Sequence, residues 1–504
     1  MTWQSAIQRK SFRLIHHRTC HRAYHLEEAL GLIRDISRVD ADCHVVGLLA
    51  MTISHVRRPT PGRKIIASHD RDPVERFRIL AITTEQQAPT GFRGNLASKF
   101  GALGNPRYRR YWLGSLASVG AIQIATMAQG WLIVSDLGGT ALSLGYLGAA
   151  TAIPTILVNM FGGVLADRVD RRKLIIVVSA ASSLLLLLLA ILDATNVVQI
   201  WHVVVIASVQ GLVMGFDGPV RSSFFPLLIE RKEMMSAVAL GSVMWQFSRL
   251  VTPIAGGLLI RYGGTESVFF VGVVGWVSML LVMISLRISS PPPDKSRNVV
   301  DDMVEGIRFI LGRRDFILLI GLTYATHFFG MQYLQLMPLF AQRFGGDAEE
   351  VVFGFLLSSL GLGALAGTLV VSRLRKHPRI GYIKLSGSLT FTVAVAAFAY
   401  APSFGLALVS LFIGGLANTI YFVVAMTVLQ LRVPEKMRGR VMGIYTITFS
   451  LIPLGGLMGG TIASIYDERV AVVIGAVILA AIFVIVGVTQ PVIRSLNGTQ
   501  LEKV

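Results

Sequence analysis

The chain has 504 residues, of which 53% are hydrophobic and only 15% are charged, and its mean hydropathy is +0.62. Soluble domains carry roughly 25% charged residues, so this composition excludes a soluble globular enzyme, a coiled coil and a disordered chain. It indicates a membrane protein with many spans. The formal net charge of +18 would favour nucleic-acid binding only if the basic residues were gathered on one surface.

Residues 1–104 are predicted to form a basic and poorly ordered N-terminal extension. They contain no apolar run of about 20 residues, the length that a helix needs to cross a bilayer, and no secretory signal pattern. One group in this extension could be taken for metal ligands: His16, His17, Cys20, His21 and His25. It lacks the second pair that structural zinc sites use, and we predict no metal site.

From residue 105 onward, apolar stretches of membrane length alternate with short polar breaks, which predicts twelve transmembrane helices joined as antiparallel hairpins. The first six are expected at 111–134, 144–165, 174–192, 200–216, 237–260 and 268–286. The last six are expected at 316–340, 352–371, 383–400, 405–429, 441–465 and 470–488.

Lysines and arginines fall mostly on one side of the predicted membrane. Twenty-seven of those after residue 104, Lys384 among them, lie in seven segments on the side of the two termini, against three on the other side: Arg261, Arg343 and Arg469. Basic loops are retained in the cytoplasm, so both termini are expected to face the cytoplasm. Because the positive charge is spread over seven segments, we exclude nucleic acid as a partner.

One long connection, residues 288–315, is predicted to be a cytoplasmic linker between an N-terminal six-helix half (105–287) and a C-terminal half (316–490), with a cytoplasmic tail at 491–504. After three prolines, the apolar residues of this linker are spaced three and four apart. That spacing predicts an amphipathic helix on the membrane surface, with an apolar face formed by Val300, Met303, Val304, Ile307, Ile310 and Leu311.

The two halves repeat each other in sequence. Gly163 and Gly367 occupy corresponding places at the ends of the second and eighth spans. Pro253 and Pro453, each shortly followed by two glycines, lie in the fifth and eleventh. Internal repeats in a protein with many spans indicate a secondary transporter whose substrate site lies between the halves.

The most specific motif runs from Gly163 through Asp167 to Arg172. It resembles the loop between helices two and three of the major facilitator superfamily, Gly-x-x-x-Asp-Arg-x-Gly-Arg-Arg, except that Asp170 replaces a glycine. The resemblance extends over about 105–491 and implies an all-α fold of twelve transmembrane helices in two pseudo-symmetric halves. The matching positions are Gly163, Asp167, Arg168, Arg171 and Arg172.

Two further stretches, around Asp217 and around Arg440, are similar to the branch of this superfamily that contains bacterial enterobactin exporters and macrolide efflux proteins. Asp167 is expected to meet the positive N-terminal end of the eleventh span near Arg440, a contact that contributes about 0.3–1 kcal/mol when exposed. Arg168 or Arg171 is expected to pair with Asp217. These residues, with Gly163 and Arg172, are interpreted as a cytoplasmic latch that favours the outward-open state. The alternative is a cluster that only fixes orientation.

The fifth span resembles the antiporter motif of the superfamily, Gly-x-x-x-Gly-Pro-x-x-Gly-Gly, at Pro253, Gly256 and Gly257. This resemblance implies export, whereas ordinary close packing of small residues is the alternative. Arg249 stands in the middle of the same span, where a charge costs roughly 2.5–3.5 kcal/mol on insertion scales. It is therefore expected to face the interior, either to bind an anionic substrate group or to make a structural pair.

The resemblance also implies that spans one, four, seven and ten line a central cavity. The candidate substrate contacts are polar residues at depth, each of which could instead join helices: Gln123, Gln129, Gln210, Gln246, Arg249, His327, Gln332, Gln335 and Asn418. No aspartate or glutamate sits centrally in a span. His327 could take up a proton near neutral pH or remain buried and neutral, so the resemblance, more than the residues, implies proton antiport.

The chain contains no phosphate-binding loop and no nucleophile–base constellation, so we predict neither ATP, nor a cofactor, nor enzymatic activity. The function that fits is an efflux permease in the bacterial cytoplasmic membrane. It would export a siderophore, a macrolide or another small molecule by alternating access. The alternative is a transporter-like sensor that binds a ligand without moving it.

Overall fold

A computed structural model describes residues 101–286, 288, 299–374 and 380–490. The side chains of 160–168, 299–302, 372–374, 380 and 436 lie outside that description. Contacts divide the chain into two units, Met1–Ala88 and Pro89–Val504, and every described residue belongs to the second. The predicted histidine cluster, nearly all of the N-terminal extension and the C-terminal tail therefore lie outside the described residues.

Every regular element in these ranges is helical, as expected from the composition. We number the α-helices in chain order. They are α1 (Pro106–Trp131), α2 (Ala141–Arg168), α3 (Arg171–Ala194), α4 (Ile200–Phe224), α5 (Met234–Ser285), α6 (Val299–Leu311), α7 (Arg314–Ala325), α8 (Tyr333–Gly345), α9 (Glu349–Leu374), α10 (Ile380–Ala399), α11 (Phe404–Arg432), α12 (Glu435–Thr446), α13 (Leu451–Ile465) and α14 (Glu468–Thr489).

Ten helical segments of the described chain are long and apolar enough to cross a membrane. Two of them, Arg231–Ser285 and Arg314–Val371, contain 55 and 58 residues, more than twice the ~20 residues that one crossing needs. The first is interrupted at Gly264, whose φ of 73° and ψ of 173° are not helical. Glycine tolerates this conformation because it has no Cβ.

Helix α3 shows which way its apolar side chains point. Val177 and Leu184 are 60% and 66% exposed, while Ser179 and Ser182 are completely buried. A helix in water would present the opposite pattern. Apolar side chains on the outside and small polar ones inside are what a lipid environment favours.

The helices pack as two bundles. In the N-terminal bundle (α1–α5), α5 packs against α1 and α3, and α2 packs against α4. In the C-terminal bundle (α7–α14), α11 packs against α9 and α10, and α14 packs against α10. The most extensive contacts between the bundles are those of α5 with α9 and of α2 with α13.

Two helices end in π-turns at corresponding places of the repeat. Leu132–Asp136 follows α1, and Thr326–Gly330 follows α7. Such turns widen the helix, leave its backbone bonds irregular and are frequent at functional sites. The second turn contains His327.

Lys384 shows what a charge count made from the sequence leaves out. We counted it among the cations on the side of the termini, and it lies inside α10 and is fully buried. Its side chain packs on the ring of Tyr421 in α11, with Nζ 5.0 Å from the ring centroid. Counting charges does not record where a long side chain is directed once the helices have packed, and the orientation of the termini stays a prediction.

Candidate transport site

The bundles meet at backbone contacts that leave no room for a side chain. A Cβ placed on Gly148 of α2 would lie 2.3 Å from the carbonyl oxygen of Pro453 in α13. A Cβ on Gly354 of α9 would lie 2.5 Å from the carbonyl oxygen of Pro253 in α5. Glycine therefore permits an approach that any other residue would prevent.

The antiporter-like motif lies at this interface. A Cβ on Gly257 would lie 2.3 Å from the carbonyl oxygen of Glu350 in α9, and one on Gly256 would lie 3.0 Å from the sulfur of Met127 in α1. The motif thus packs α5 against two helices at once. These contacts are the packing role we gave as the alternative, and the link between the motif and export stays a prediction.

Arg249 lies one turn before Pro253 in α5 and is exposed. Its charge acts on His327 and Tyr333, which belong to the C-terminal bundle. No acidic side chain forms a salt bridge with it in the described part of the chain. Arg249 therefore lies near groups of the other bundle and has no acidic partner among the described residues.

An aromatic wall surrounds His327. The ring of His327 meets Phe422 and Phe449 edge-on, with centroid separations of 5.7 and 5.9 Å. Phe449 is 45% exposed, so part of this wall can be reached. The Nδ1 of His327 lies 2.9 Å from the carbonyl oxygen of Thr323, a hydrogen bond that a protonated Nδ1 donates. The charge of Arg249 thus acts, across the interface, on a histidine that lies among aromatic rings.

Four of the predicted cavity glutamines join helices. The Nε2 atoms of Gln210 and Gln332 donate to Ser182 Oγ at 3.0 Å and to the Ala471 carbonyl at 2.8 Å, within one bundle each. The other two connect the bundles: Gln246 Nε2 donates to Thr368 Oγ1 at 3.3 Å and Gln335 Nε2 to the Leu144 carbonyl at 3.1 Å. Helix packing therefore accounts for the Nε2 donors of these four amide groups.

The remaining candidates differ in access. Gln129 is buried, whereas Gln123, also in α1, is half-buried. Asn418 in α11 directs its Nδ2 at the sulfur of Met331, 3.9 Å away. Its Oδ1 is buried without a hydrogen-bond partner in the described chain, and so are the Oε1 atoms of Gln210 and Gln332. These unsatisfied oxygens leave Asn418, Gln210 and Gln332 able to accept a further hydrogen bond.

The predicted latch, which begins at Gly163, is described only in part. The side chains of Asp167 and Arg168 lie outside the described residues. Arg171 donates to the carbonyl of Ser223 at 3.2 Å. Arg172 donates to two carbonyls at the end of α5, where a cation also favours the negative helix terminus. These two arginines therefore fasten α3 to α4 and α5.

Asp217 has a different partner from the one expected. It accepts a hydrogen bond from Arg221 Nε at 2.7 Å, and both side chains are largely buried. Arg221 also donates to Ser115 and Ser118 of α1. In this structure Asp217 pairs with Arg221 rather than with Arg171, because Arg221 lies one helical turn away on the same face of α4; the predicted alternative, Arg168, has its side chain outside the described residues.

The linker helix α6 reaches the same end of the molecule. Glu305 of α6 forms a salt bridge with Arg440 of α12, and a Cβ on Gly306 would lie 3.1 Å from the Cβ of Arg440. Ile310 is buried, whereas Leu311 is 65% exposed. Only part of the apolar face of α6 is thus covered by protein.

Asp170, the departure from the superfamily motif, has a structural use. It is the N-cap of α3, and its carboxylate accepts hydrogen bonds from the backbone amides of Arg172 and Lys173. A carboxylate at this position satisfies helix donors and favours the positive helix end. An aspartate can therefore replace the usual glycine in this turn.

Sequence reasoning missed two polar groups at the other end of the bundles. Thr265 Oγ1 lies 2.6 Å from a carboxylate oxygen of Asp193 and 3.0 Å from one of Asp136. Arg261 bonds to the carbonyl of Asp347 and lies 3.9 Å from a carboxylate oxygen of Glu350. Hydropathy could not reveal these groups, because each member ends a different span.

The chain was compared with known proteins. Residues 97–502 match the family described as transmembrane secretion effector. The enterobactin exporters EntS of Shigella boydii and of Escherichia coli are similar: each is 27% identical over 356 residues, which cover 68% of this chain and 81% of the exporter.

Solved transporter structures share the fold. A bacterial homolog to the human lysosomal transporter Spinster, in an inward-facing and unoccupied conformation, has a TM-score of 0.62 and 15% identity over 77% of this chain and 98% of that chain. A POT family transporter in complex with 5-aminolevulinic acid has a TM-score of 0.61 and 13% identity over 78% and 96% of the two chains.

The family match covers most of the chain, the similar proteins EntS are exporters, and the solved structures share the fold. The resemblance inferred from the motif around Asp167 is therefore confirmed, as is the prediction of a membrane protein without enzymatic activity. This chain belongs to the transmembrane secretion effector family of the major facilitator superfamily and is a multi-pass membrane transporter.

Proposed function

We propose that this transporter exports an anionic, partly aromatic small molecule, a siderophore of the catecholate type, by alternating access. The observation that supports this proposal most is Arg249, an exposed cation that has no acidic partner in the described ranges and whose charge acts on His327, which lies among aromatic rings. An anion with aromatic rings complements both features. The similarity to enterobactin exporters supports the same substrate class and the outward direction.

The proposed topology has twelve spans, with both termini in the cytoplasm of a bacterium and the body in its inner membrane. The two double-length segments, each crossing twice, bring the ten candidate segments to twelve. The strong excess of lysine and arginine on one side supports the orientation. With this topology, Ala141, Gly257 and Gly460 lie in the outer half of the bundles.

The contacts between bundles support a closed outer side. A Cβ on Gly460 would lie 2.4 Å from the carbonyl of Ala141, and one on Gly257 would lie 2.3 Å from that of Glu350. These contacts have to separate before substrate can leave outward. Proton entry, in exchange for outward substrate movement, is the proposed driving force.

The proposed cytoplasmic latch consists of Asp167 and its neighbours on one bundle and the start of α12, with Arg440, on the other. It would hold the cytoplasmic ends together in the outward-open state. Asp167→Asn is expected to slow transport while the protein still inserts and folds. Normal transport by this variant would reject the latch and leave the cluster with only a topogenic role.

The function is tested by flux through the full-length protein in proteoliposomes, with iron-free enterobactin as the probe. The wild type is expected to move enterobactin, and Arg249→Gln is expected to lose most of this flux, while Arg249→Lys keeps the charge and part of the flux. Binding without net movement would identify a sensor. Movement of erythromycin but not of enterobactin would assign a macrolide as the substrate and reject the catecholate.

A further inference from the structure

Lys384 is the most completely enclosed charged side chain that the structure describes. It lies about one turn inside α10 and has no exposed surface. Among the described residues its Nζ has no hydrogen-bond partner, and it lies 5.0 Å from the centroid of the Tyr421 ring. Tyr421 is itself buried and packs edge-on against Phe483 of α14. The amine is thus held in an aromatic and apolar pocket.

Packing alone does not account for a lysine here. An ammonium ion has three donors, and an ammonium removed from water without acceptors costs several kcal/mol. A methionine would fill a similar volume without that cost. The face of the Tyr421 ring attracts a cation but replaces none of the lost hydrogen bonds.

The groups around Lys384 offer no compensating negative charge in the described helices. On α11 the ionisable residues are Tyr421 and Arg432, and Arg432 pairs with Asp315 of α7. On α14 they are Glu468 and Arg469 at its first turn, whereas Lys384 is level with its last turns, because Leu385 contacts Gly487.

Three more ionisable groups lie on the neighbouring elements. Tyr324 of α7 donates to the carbonyl of Ile444. Tyr445 of α12 has a buried hydroxyl without a partner. Tyr382, on α10 itself, is exposed. None of the three is a carboxylate, so an ammonium at Lys384 stays uncompensated while this packing persists.

A polar path leads from Lys384 to the wall opposite Arg249. The ring of Tyr421 lies beneath the Nζ of Lys384. The hydroxyl of Tyr421 lies 3.2 Å from Thr323 Oγ1. The carbonyl of Thr323 lies 2.9 Å from Nδ1 of His327. The path therefore crosses from α10 through α11 to the π-turn after α7, and it ends where Arg249 acts across the interface.

From this geometry we infer that Lys384 is the residue that binds and releases the coupling proton. The inference rests on the proposed proton-driven export and names its carrier. In the outward-open state the packing of α10, α11 and α7 opens towards the space between the bundles, and the neutral amine takes one proton from that space by way of Tyr421 and Thr323, forming an ammonium. Return to the enclosed packing expels that charge, and the ammonium releases the same proton to the cytoplasm.

The protein is expected to have two activities that can be measured separately, exchange and gradient-driven accumulation of enterobactin. Exchange of enterobactin across proteoliposomes without a pH gradient requires only rocking of the bundles. Accumulation in proteoliposomes with an acidic interior requires the proton carrier as well. Lys384→Met is expected to retain exchange and to lose the whole stimulation by the pH gradient. Lys232→Met is the matched control, because it removes an exposed lysine that pairs with Glu230, and it should retain both activities.

The transport assays of the variants distinguish a proton-carrying role of Lys384 from a structural role or none. Gradient-driven accumulation by Lys384→Met equal to the wild type would overturn the inference, as would loss of coupling in His327→Gln but not in Lys384→Met. Loss of exchange together with coupling would give Lys384 a structural role and also overturn it. A wild type that moves no enterobactin in either assay would overturn the proposed function and the coupling role with it. The melting temperature of Lys384→Met should equal or exceed that of the wild type, since an unpaired buried amine is removed.

Discussion

Gly148 of α2 meets the backbone carbonyl of Pro453 in α13. The same kind of contact recurs between Gly354 of α9 and Pro253 of α5. Pro453 and Pro253 are corresponding residues of the two halves, and in each case a glycine of the opposite bundle lies against the proline carbonyl. A proline carbonyl lying against a glycine is therefore a repeated element of the interface between the bundles.

Adding a methyl group at this contact should weaken the described packing. In Gly148→Ala the new Cβ would lie 2.3 Å from the Pro453 carbonyl oxygen, and overpacking of this kind costs about 1–3 kcal/mol. We expect a lower melting temperature in detergent and slower enterobactin flux. Gly354→Ala should behave alike, because its Cβ meets the Pro253 carbonyl at 2.5 Å.

The control for these variants is Gly120→Ala in α1. Nothing lies within 4 Å of a Cβ at this position, and alanine favours a helix over glycine by up to about 1 kcal/mol. The melting temperature of Gly120→Ala should be unchanged or higher. A Gly148→Ala protein as stable and active as this control would mean that the bundles do not need the close contact.

The buried pair of Asp217 and Arg221 provides a second prediction. Asp217→Asn leaves the Arg221 guanidinium buried without its carboxylate, which should lower the free energy of unfolding by about 3–5 kcal/mol. The cation would keep only Ser115, Ser118 and the face of Trp276, 5.7 Å away. Thermal unfolding in detergent measures the loss.

A double variant separates pairing from packing at the same site. Asp217→Asn with Arg221→Met removes both charges, so it should recover most of the stability lost in Asp217→Asn alone. Glu230→Gln, which breaks the exposed pair with Lys232, should change the melting temperature very little. Equal losses in the single and double variants would contradict a stabilising role for the buried pair.

Apolar periodicity predicted where the helices lie, but polar caps determine where they begin. The third span was expected at 174–192, and α3 covers Arg171–Ala194 because the carboxylate of Asp170 caps it three residues earlier. Spans five and six were expected as separate helices, and Gly264 marks their division within α5. Helix caps and positive φ angles are local features that hydropathy does not record.

The site was harder to predict than the helices. The partner of Asp217 could have been found, since Arg221 stands four residues away in the sequence. Lys384 could not, because burial of its amine depends on how α10 meets α11 and not on any local pattern. Arg249 was recognised as an unusual cation, but only the fold brings it close enough for its charge to act on His327 and Tyr333.

The cap of α3 can be tested at one position. Asp170→Ala removes the side chain that accepts from the backbone amides of Arg172 and Lys173, and loss of an N-cap costs about 0.5–2 kcal/mol. Asp170→Gly restores the residue that the superfamily motif usually has and should cost less, because glycine is itself a tolerated N-cap. In thermal unfolding, the melting temperature of Asp170→Gly should therefore be higher than that of Asp170→Ala. The reverse order would contradict a capping role.

Thr265 should stabilise the N-terminal bundle because its hydroxyl is a hydrogen-bond donor placed between two carboxylates. Its single hydroxyl lies between Asp193 and Asp136, at 2.6 and 3.0 Å, and joins the ends of α1, α3 and the second part of α5. Thr265→Val leaves the carboxylates without this donor, which should lower the free energy of unfolding by about 1–3 kcal/mol. Thr265→Ser keeps the hydroxyl and should retain most of the stability. If valine and serine variants melt at the same temperature, the hydroxyl is not what holds these three helix ends together.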